Sequence, residues 1–171
     1  MSRLAVLVLL AILSPHLMVL AATQRPAALV RGTQTGLKLP RFGSIKASVA
    51  NLRRGPGLRY PIEWVYHHRN LPVKITREFG DWRHLQMPDG TRGWMHRALL
   101  SRRRTFIVVA PRTMLRGSPS DTAAPVARLQ RGVTGKVRHC ALNSRWCEVE
   151  AKGFSGFTHR ADIWGGTTNP Q

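Results

Sequence analysis

Leu52-Arg53 returns as Leu115-Arg116, Gly93-Trp94 as Gly156-Phe157, and His96-Arg97-Ala98 as His159-Arg160-Ala161, each 63 positions later. Trp82 pairs with Trp146 one position out of step, and a shorter turn at Lys152-Gly153 cancels that insertion. Several matches in one register mean two tandem copies of a single unit. Each copy is near the lower size limit for a self-sufficient core, so extra staples would help. The repeat therefore sets the domain count and leaves little room for an enzyme.

The elements inside each copy read as strands. Ile45, Ala47 and Val49 alternate with Ser44, Lys46 and Ser48, the period of a strand that starts at Arg41. The slip near Ala50-Asn51-Leu52 fits a bulge. The run N-L-R-R-G-P-G-L-R-Y-P, Asn51 to Pro61, then makes a tight Gly-Pro-Gly turn and launches Ile62 to Tyr66. A strand rather than a helix follows it, so the helix N-terminus of a phosphate-binding loop is missing. Val73–Phe79, Trp82–Met87 and Arg92–His96 complete the unit. They are separated by Gly80-Asp81 and by Pro88-Asp89-Gly90, and Arg97 to Leu100 fits one helical turn. Ser101–Arg104 is a basic connector, and Thr105–Ala110 restarts the pattern. No stretch of the mature chain has long helical periodicity, so the expected class is all-β, as small barrels or sandwiches.

Met1–Ala22 has the form of a signal peptide: Arg3, an apolar run from Leu4 to Leu13, then a helix-breaking Ser14-Pro15. Whether cleaved or kept as an anchor, it would place the remainder in the periplasm or outside the cell. Thr23–Pro40 reads as a flexible N-terminal arm. The 171 residues include 27 Lys and Arg against 8 Asp and Glu, a formal charge of +19. Such a field favours nucleic acid, lipid head groups or acidic wall polymers. It equally serves to keep a small exported protein soluble.

The pieces N-L-R-R-G-P-G-L-R-Y-P-I, F-G-D-W (Phe79 to Trp82), P-D-G-T-R-G-W-M-H (Pro88 to His96) and W-C-E-V in the second copy resemble the bacterial SH3-like domain, in the tandem form of exported Gram-negative proteins. The second copy departs from the pattern, with Arg-Gly-Ser-Pro for the Gly-Pro-Gly core and Phe157 for the second Trp. The resemblance implies two tandem small SH3-like β-barrels of about five strands each, over 41–103 and 104–166, with a tail at 167–171. It implies a binding role, towards peptidoglycan or an envelope protein partner, without a hydrolase domain.

Cys140 and Cys147 flank the turn Asn143-Ser144-Arg145, a spacing at which hairpin residues face each other. An exported setting favours a disulfide over a catalytic thiol or a metal pair with His139. Trp82, Trp94, Trp146 and Phe157 recur at repeat positions and are expected in the core or at the barrel mouth. Arg53, Arg59, Tyr60 and Trp64 surround the Gly-Pro-Gly turn and form the candidate ligand face. The histidines show no metal spacing, and no G-x-S-x-G, H-E-x-x-H or phosphate loop is present. The expectation is a non-enzymatic binding module with no catalytic residue, metal, cofactor or small-molecule substrate. The alternatives are a general polyanion or nucleic-acid binder, and an accessory subunit of a cell-wall enzyme.

Overall fold

Alternating inward and outward side chains, cut by short turns, give sixteen strands in the computed structural model, which describes residues 30–141 and 143–165. β1 (Val30–Arg31) and β2 (Lys38–Leu39) form a hairpin. The first repeat follows with β3 (Arg41–Ile45), β4 (Ala50–Arg53), β5 (Ile62–Tyr66), β6 (Pro72–Phe79), β7 (Trp82–Gln86), β8 (Arg92–His96), a 3₁₀ turn (Arg97–Leu99) and β9 (Leu100–Ser101). The second has β10 (Thr105–Val108), β11 (Arg112–Arg116), β12 (Pro125–Gln130), β13 (Thr134–His139), β14 (Trp146–Ala151), β15 (Phe154–His159), a 3₁₀ turn (Arg160–Asp162) and β16 (Ile163–Trp164). The sheet orders are β5-β4-β8-β7-β6-β3-β9 and β12-β11-β15-β14-β13-β10-β16, the same topology twice. The all-β, tandem-barrel expectation holds.

Each repeat has seven strands where about five were expected. The run from Arg41 to Asn51 is not one strand. β3 lies beside β6 and β9, whereas β4 lies beside β5 and β8, so the chain must cross between them. Ala47–Val49 makes that crossing as a bend, and Val49 points to solvent at 49% exposure. The ladder irregularity falls between Leu52 and Arg53, one step beyond the expected bulge. The seventh strand is the two-residue piece after the 3₁₀ turn.

Part of the expected flexible arm is ordered. Residues 30–39 fold back because the Glu78 carboxylate collects their donors. Gln34 and Thr35 N–H groups each donate to Oε2 at 3.0 Å, and the Thr35 hydroxyl donates to Oε1 at 2.8 Å. Arg41 reaches Oε1 at 2.5 Å and Arg83 lies 3.6 Å away. Burial pushes this carboxyl up. Hydrogen bonds from Thr35, Arg41 and Gln34, with the Arg41 charge, outweigh it and hold the pKa at about 2. Leu39 then joins the first core. The expected signal peptide at 1–22, the arm residues 23–29 and the tail at 167–171 lie outside the described residues.

Each repeat has its own core. Ile45, Leu52, Val73, Leu85, Met87 and Met95 are fully enclosed in the first. Phe106, Val108, Leu115 and Val149 fill the second together with Cys140 and Cys147, which are bridged with Cα atoms 4.3 Å apart. A loop that short contributes about 2 kcal/mol in the chain-entropy picture. The repeats also touch. Phe42 meets Trp164 edge-on at 5.1 Å, Ile107 packs against the first core, and a Cβ on Gly165 would come 2.8 Å from the Pro72 Cβ.

The folded pKa of Glu78 lies below its ordinary value of 4.5. Its stabilisation is therefore complete above the unfolded value and is lost as pH falls towards 2. Urea denaturation followed from about pH 7 to about pH 2 should show wild type losing on the order of 2–3 kcal/mol. Glu78→Gln should start lower at neutral pH and meet wild type at the acid end. Parallel curves for the two proteins would rule out Glu78 as the source.

Candidate binding face

Strand alternation decides what faces solvent. In β8, Gly93 and Met95 point inward, so Trp94 and His96 point outward. In β7, Arg83 and Leu85 point inward, leaving Trp82 and His84 outside. Directly paired residues of neighbouring strands lie on one side of a sheet. The ladder therefore sets Ile62 beside Arg53, Arg53 beside Trp94, Trp94 beside His84, and His84 beside Arg77. The next outward positions along β8 and β7, His96 and Trp82, are also paired, and Phe79 pairs with Trp82.

The contacts agree with the register. His84 meets the Trp94 ring edge-on at 5.1 Å, and the Arg77 guanidinium carbon lies 5.8 Å from its centre. Trp82 and His96 make the same edge-on contact at 5.4 Å. The Thr76 hydroxyl donates to the His84 carbonyl at 3.1 Å, so its 2.8 Å contact with Nδ1 is accepted from an Nδ1–H. That leaves Nε2 as an acceptor. Burial, then the charges of Arg77 and Arg92, lower the His84 pKa, so the ring is neutral at physiological pH. Asp81 is held below the usual carboxylate range by the Arg97 hydrogen bond and charge, and lies 3.8 Å from His96.

Of the expectation that Trp82, Trp94, Trp146 and Phe157 lie in the core or at the barrel mouth, the core half does not hold. All four are half-buried on outer sheet surfaces, and neither core contains them. The G-W-M-H alternation carried the signal, because a glycine and a methionine already occupy the inward positions.

The four residues expected around the Gly-Pro-Gly turn part company. Arg53 Nη1 donates to the Leu58 carbonyl at 3.1 Å and to the Tyr60 carbonyl at 2.7 Å. Tyr60 lies over its own turn, so a Cβ on Gly55 would come 2.4 Å from the ring. The Arg59 guanidinium sits 5.3 Å from the centre of that ring. Trp64, on β5 at the edge of its sheet, pairs with Leu52 of β4 and is 57% exposed. Arg53 and Tyr60 thus build the corner, Arg53 also borders Trp94, and Trp64 stands apart on the edge. Arg77, His84 and Trp94 were not among the expected site residues.

The second repeat keeps the arginine and changes its neighbours. Arg116 donates to the Ala123 carbonyl at 2.8 Å, seven residues on, as Arg53 does to Tyr60. Phe157 and Glu148 stand where the first repeat has Trp94 and His84, with His139 beside Glu148. A half-buried, outward-facing indole flanked by two guanidiniums and a neutral imidazole can stack on sugar or planar groups and meet carboxylates. Among the described residues, no group of three His, Cys, Asp or Glu could hold a metal ion.

A family model described as Bacterial SH3 domain matches residues 46–102 and 109–165. No curated protein matches the chain. Among solved structures, NlpC2 from Trichomonas vaginalis is 10% identical, over 73% of this chain and 48% of that one, with a TM-score of 0.34. NlpC1 from the same organism is 12% identical, over 72% and 45%, with a TM-score of 0.34. An NlpC/P60 family protein from Bacillus cereus is 14% identical, over 72% and 55%, with a TM-score of 0.32. The chain spans about half the length of these structures.

Arg53→Ala removes two charge-assisted hydrogen bonds that close the corner. It should lower stability by about 1–3 kcal/mol in urea denaturation followed by tryptophan fluorescence. Trp94→Ala, on a half-exposed site, should cost less than that. An unchanged midpoint for Arg53→Ala would show that the guanidinium is not needed to hold the loop.

Proposed function

We propose a binding function from one premise: the chain belongs to the bacterial SH3 domain family. It acts as an exported, non-enzymatic module of the cell envelope that holds peptidoglycan. The observation that carries this reading is the outward ladder Arg53–Trp94–His84–Arg77. Peptidoglycan presents sugar rings, whose C–H faces suit the outward-facing Trp94 indole, and carboxylates, which suit the Arg77 guanidinium, since Arg53 is held by its own corner. The neutral His84 adds a hydrogen-bond acceptor that does not compete with the arginines for anions. The formal charge of +19 adds attraction to any anionic surface, and this favours the second reading, a general polyanion binder.

Sedimentation with purified sacculi across a salt series separates the two. Wall recognition through stacking should persist at about 0.5 M salt, because only the electrostatic part is screened. Trp94→Ala should weaken that salt-resistant binding by about tenfold, in line with the loss of one stacking platform. Binding that vanishes with salt and is matched by DNA or heparin supports the polyanion reading. Retention by Trp94→Ala equal to wild type removes the ladder from the account.

A further inference from the structure

The second repeat carries a site of another kind on the corresponding face. A concavity of about 400 Å³ opens there, lined by Arg112, Arg116 and Arg128 and by Asp121, Asp162 and His159. That volume is in the range of small-ligand sites. Sixty-three positions earlier, the first repeat has Val49, Leu58, Val65 and Leu99 in place of Arg112, Asp121, Arg128 and Asp162. Val49, Leu58 and Val65 are exposed there. Four apolar positions correspond to four charged ones, two of each sign. The arginine and the histidine (Arg53 and Arg116, His96 and His159) are common to both repeats.

Most of the walls are already held. His159 Nε2 lies 2.7 Å from Asp121 Oδ1, and because a carboxylate only accepts, Nε2 carries the proton. The same imidazole lies against Trp146, with ring centres 4.0 Å apart. Asp162 accepts from the Thr113 hydroxyl at 2.5 Å, and that hydroxyl meets Thr158 Oγ1 at 2.7 Å. Arg116 is committed to the Ala123 carbonyl. Arg112 and Arg128 differ: their side chains have no hydrogen bond or ion pair among the described residues.

Two unengaged guanidiniums suit a carboxylate, which each can meet with paired N–H donors. Two anchored carboxylates in the same walls repel a multiply charged phosphate and accept N–H donors. A ligand that satisfies both has an acid at one end and an amine at the other. We propose that this groove of the second repeat binds a short peptide bearing a free carboxylate and an amino group, with Arg112 and Arg128 holding the carboxylate and Asp121 and Asp162 facing the amine. The site uses none of the ladder residues of the first repeat, so it stands apart from the stacking face.

The test is a nuclear magnetic resonance titration of the full chain with the tripeptide alanyl-alanyl-alanine, its C-terminal amide and inorganic phosphate. The free acid should shift signals of Arg112, Arg128 and His159 and leave the Trp94 indole signal in place. The amide should bind about tenfold more weakly, as should the free acid to Arg128→Gln or Arg112→Gln, for the loss of one charge-assisted contact. Both replaced side chains lie on exposed strand positions, which keeps the fold out of the comparison. Trp94→Ala should bind the tripeptide as wild type does. Equal binding of acid and amide, tighter binding of phosphate, shifts centred on Trp94, or no shifts up to about 10 mM peptide would each overturn the proposal.

Discussion

Each barrel closes at one glycine. β4 and β8 share a single register pair, Arg53 with Trp94, and the residue beside that pair is Gly93. A Cβ there would lie 2.7 Å from Leu52 Cγ and 2.9 Å from the Arg53 carbonyl oxygen. At Gly156 the same atom would lie 2.7 Å from the Arg116 carbonyl oxygen. No side chain fits at either place, so only glycine lets the two strands meet. The closure also orders what lies outside. With glycine inward, the next residue must point outward, directly against the arginine that ends β4. One steric requirement thus produces both the shut barrel and the pairing of an aromatic ring with a guanidinium.

The repeats secure the far end of the β6–β7 hairpin and its counterpart in different ways. In the first, Arg83 is buried and reaches the Gly80 and Trp82 carbonyls at 2.7 and 2.9 Å, with the enclosed Glu78 carboxylate nearby. In the second, Cys147 stands after Trp146 as Arg83 stands after Trp82, and it is bridged to Cys140. The ionic arrangement must offset the desolvation of its charges, and it needs the β1–β2 hairpin to complete the set of donors around Glu78. The covalent one needs no outside partner. This accounts for why residues 30–39 fold onto the first repeat.

The repeat register, the strands at Ile62–Tyr66 and Arg92–His96, and the bridge between Cys140 and Cys147 were all legible in the sequence. Each rests on a local period or a short spacing. The bend at Ala47–Val49 was not, because its side chains alternate by coincidence while the chain turns a corner set by distant strands. The part played by Arg53 was hidden for another reason. A guanidinium that reaches a carbonyl seven residues on leaves no trace in periodicity, and an arginine beside a turn looks like a ligand contact. For Trp94 the general preference of aromatics for cores left core and barrel mouth both open, although Gly93 and Met95 left it only the outer side. The mixed-charge groove appears only when Val65 and Arg128, or Leu58 and Asp121, are compared as equivalents.

Phe42 against Trp164 and Pro72 against Gly165 have a consequence for any ligand that meets both repeats. Two modules on a loose tether search for their second contact through many arrangements. Two modules packed together offer theirs at one spacing. A ligand whose groups matched that spacing would engage the second face without a new encounter, and the gain would be avidity rather than stronger individual contacts. The packing between the repeats therefore fixes the spacing of their two outer faces, and any ligand long enough to reach both would have to match it.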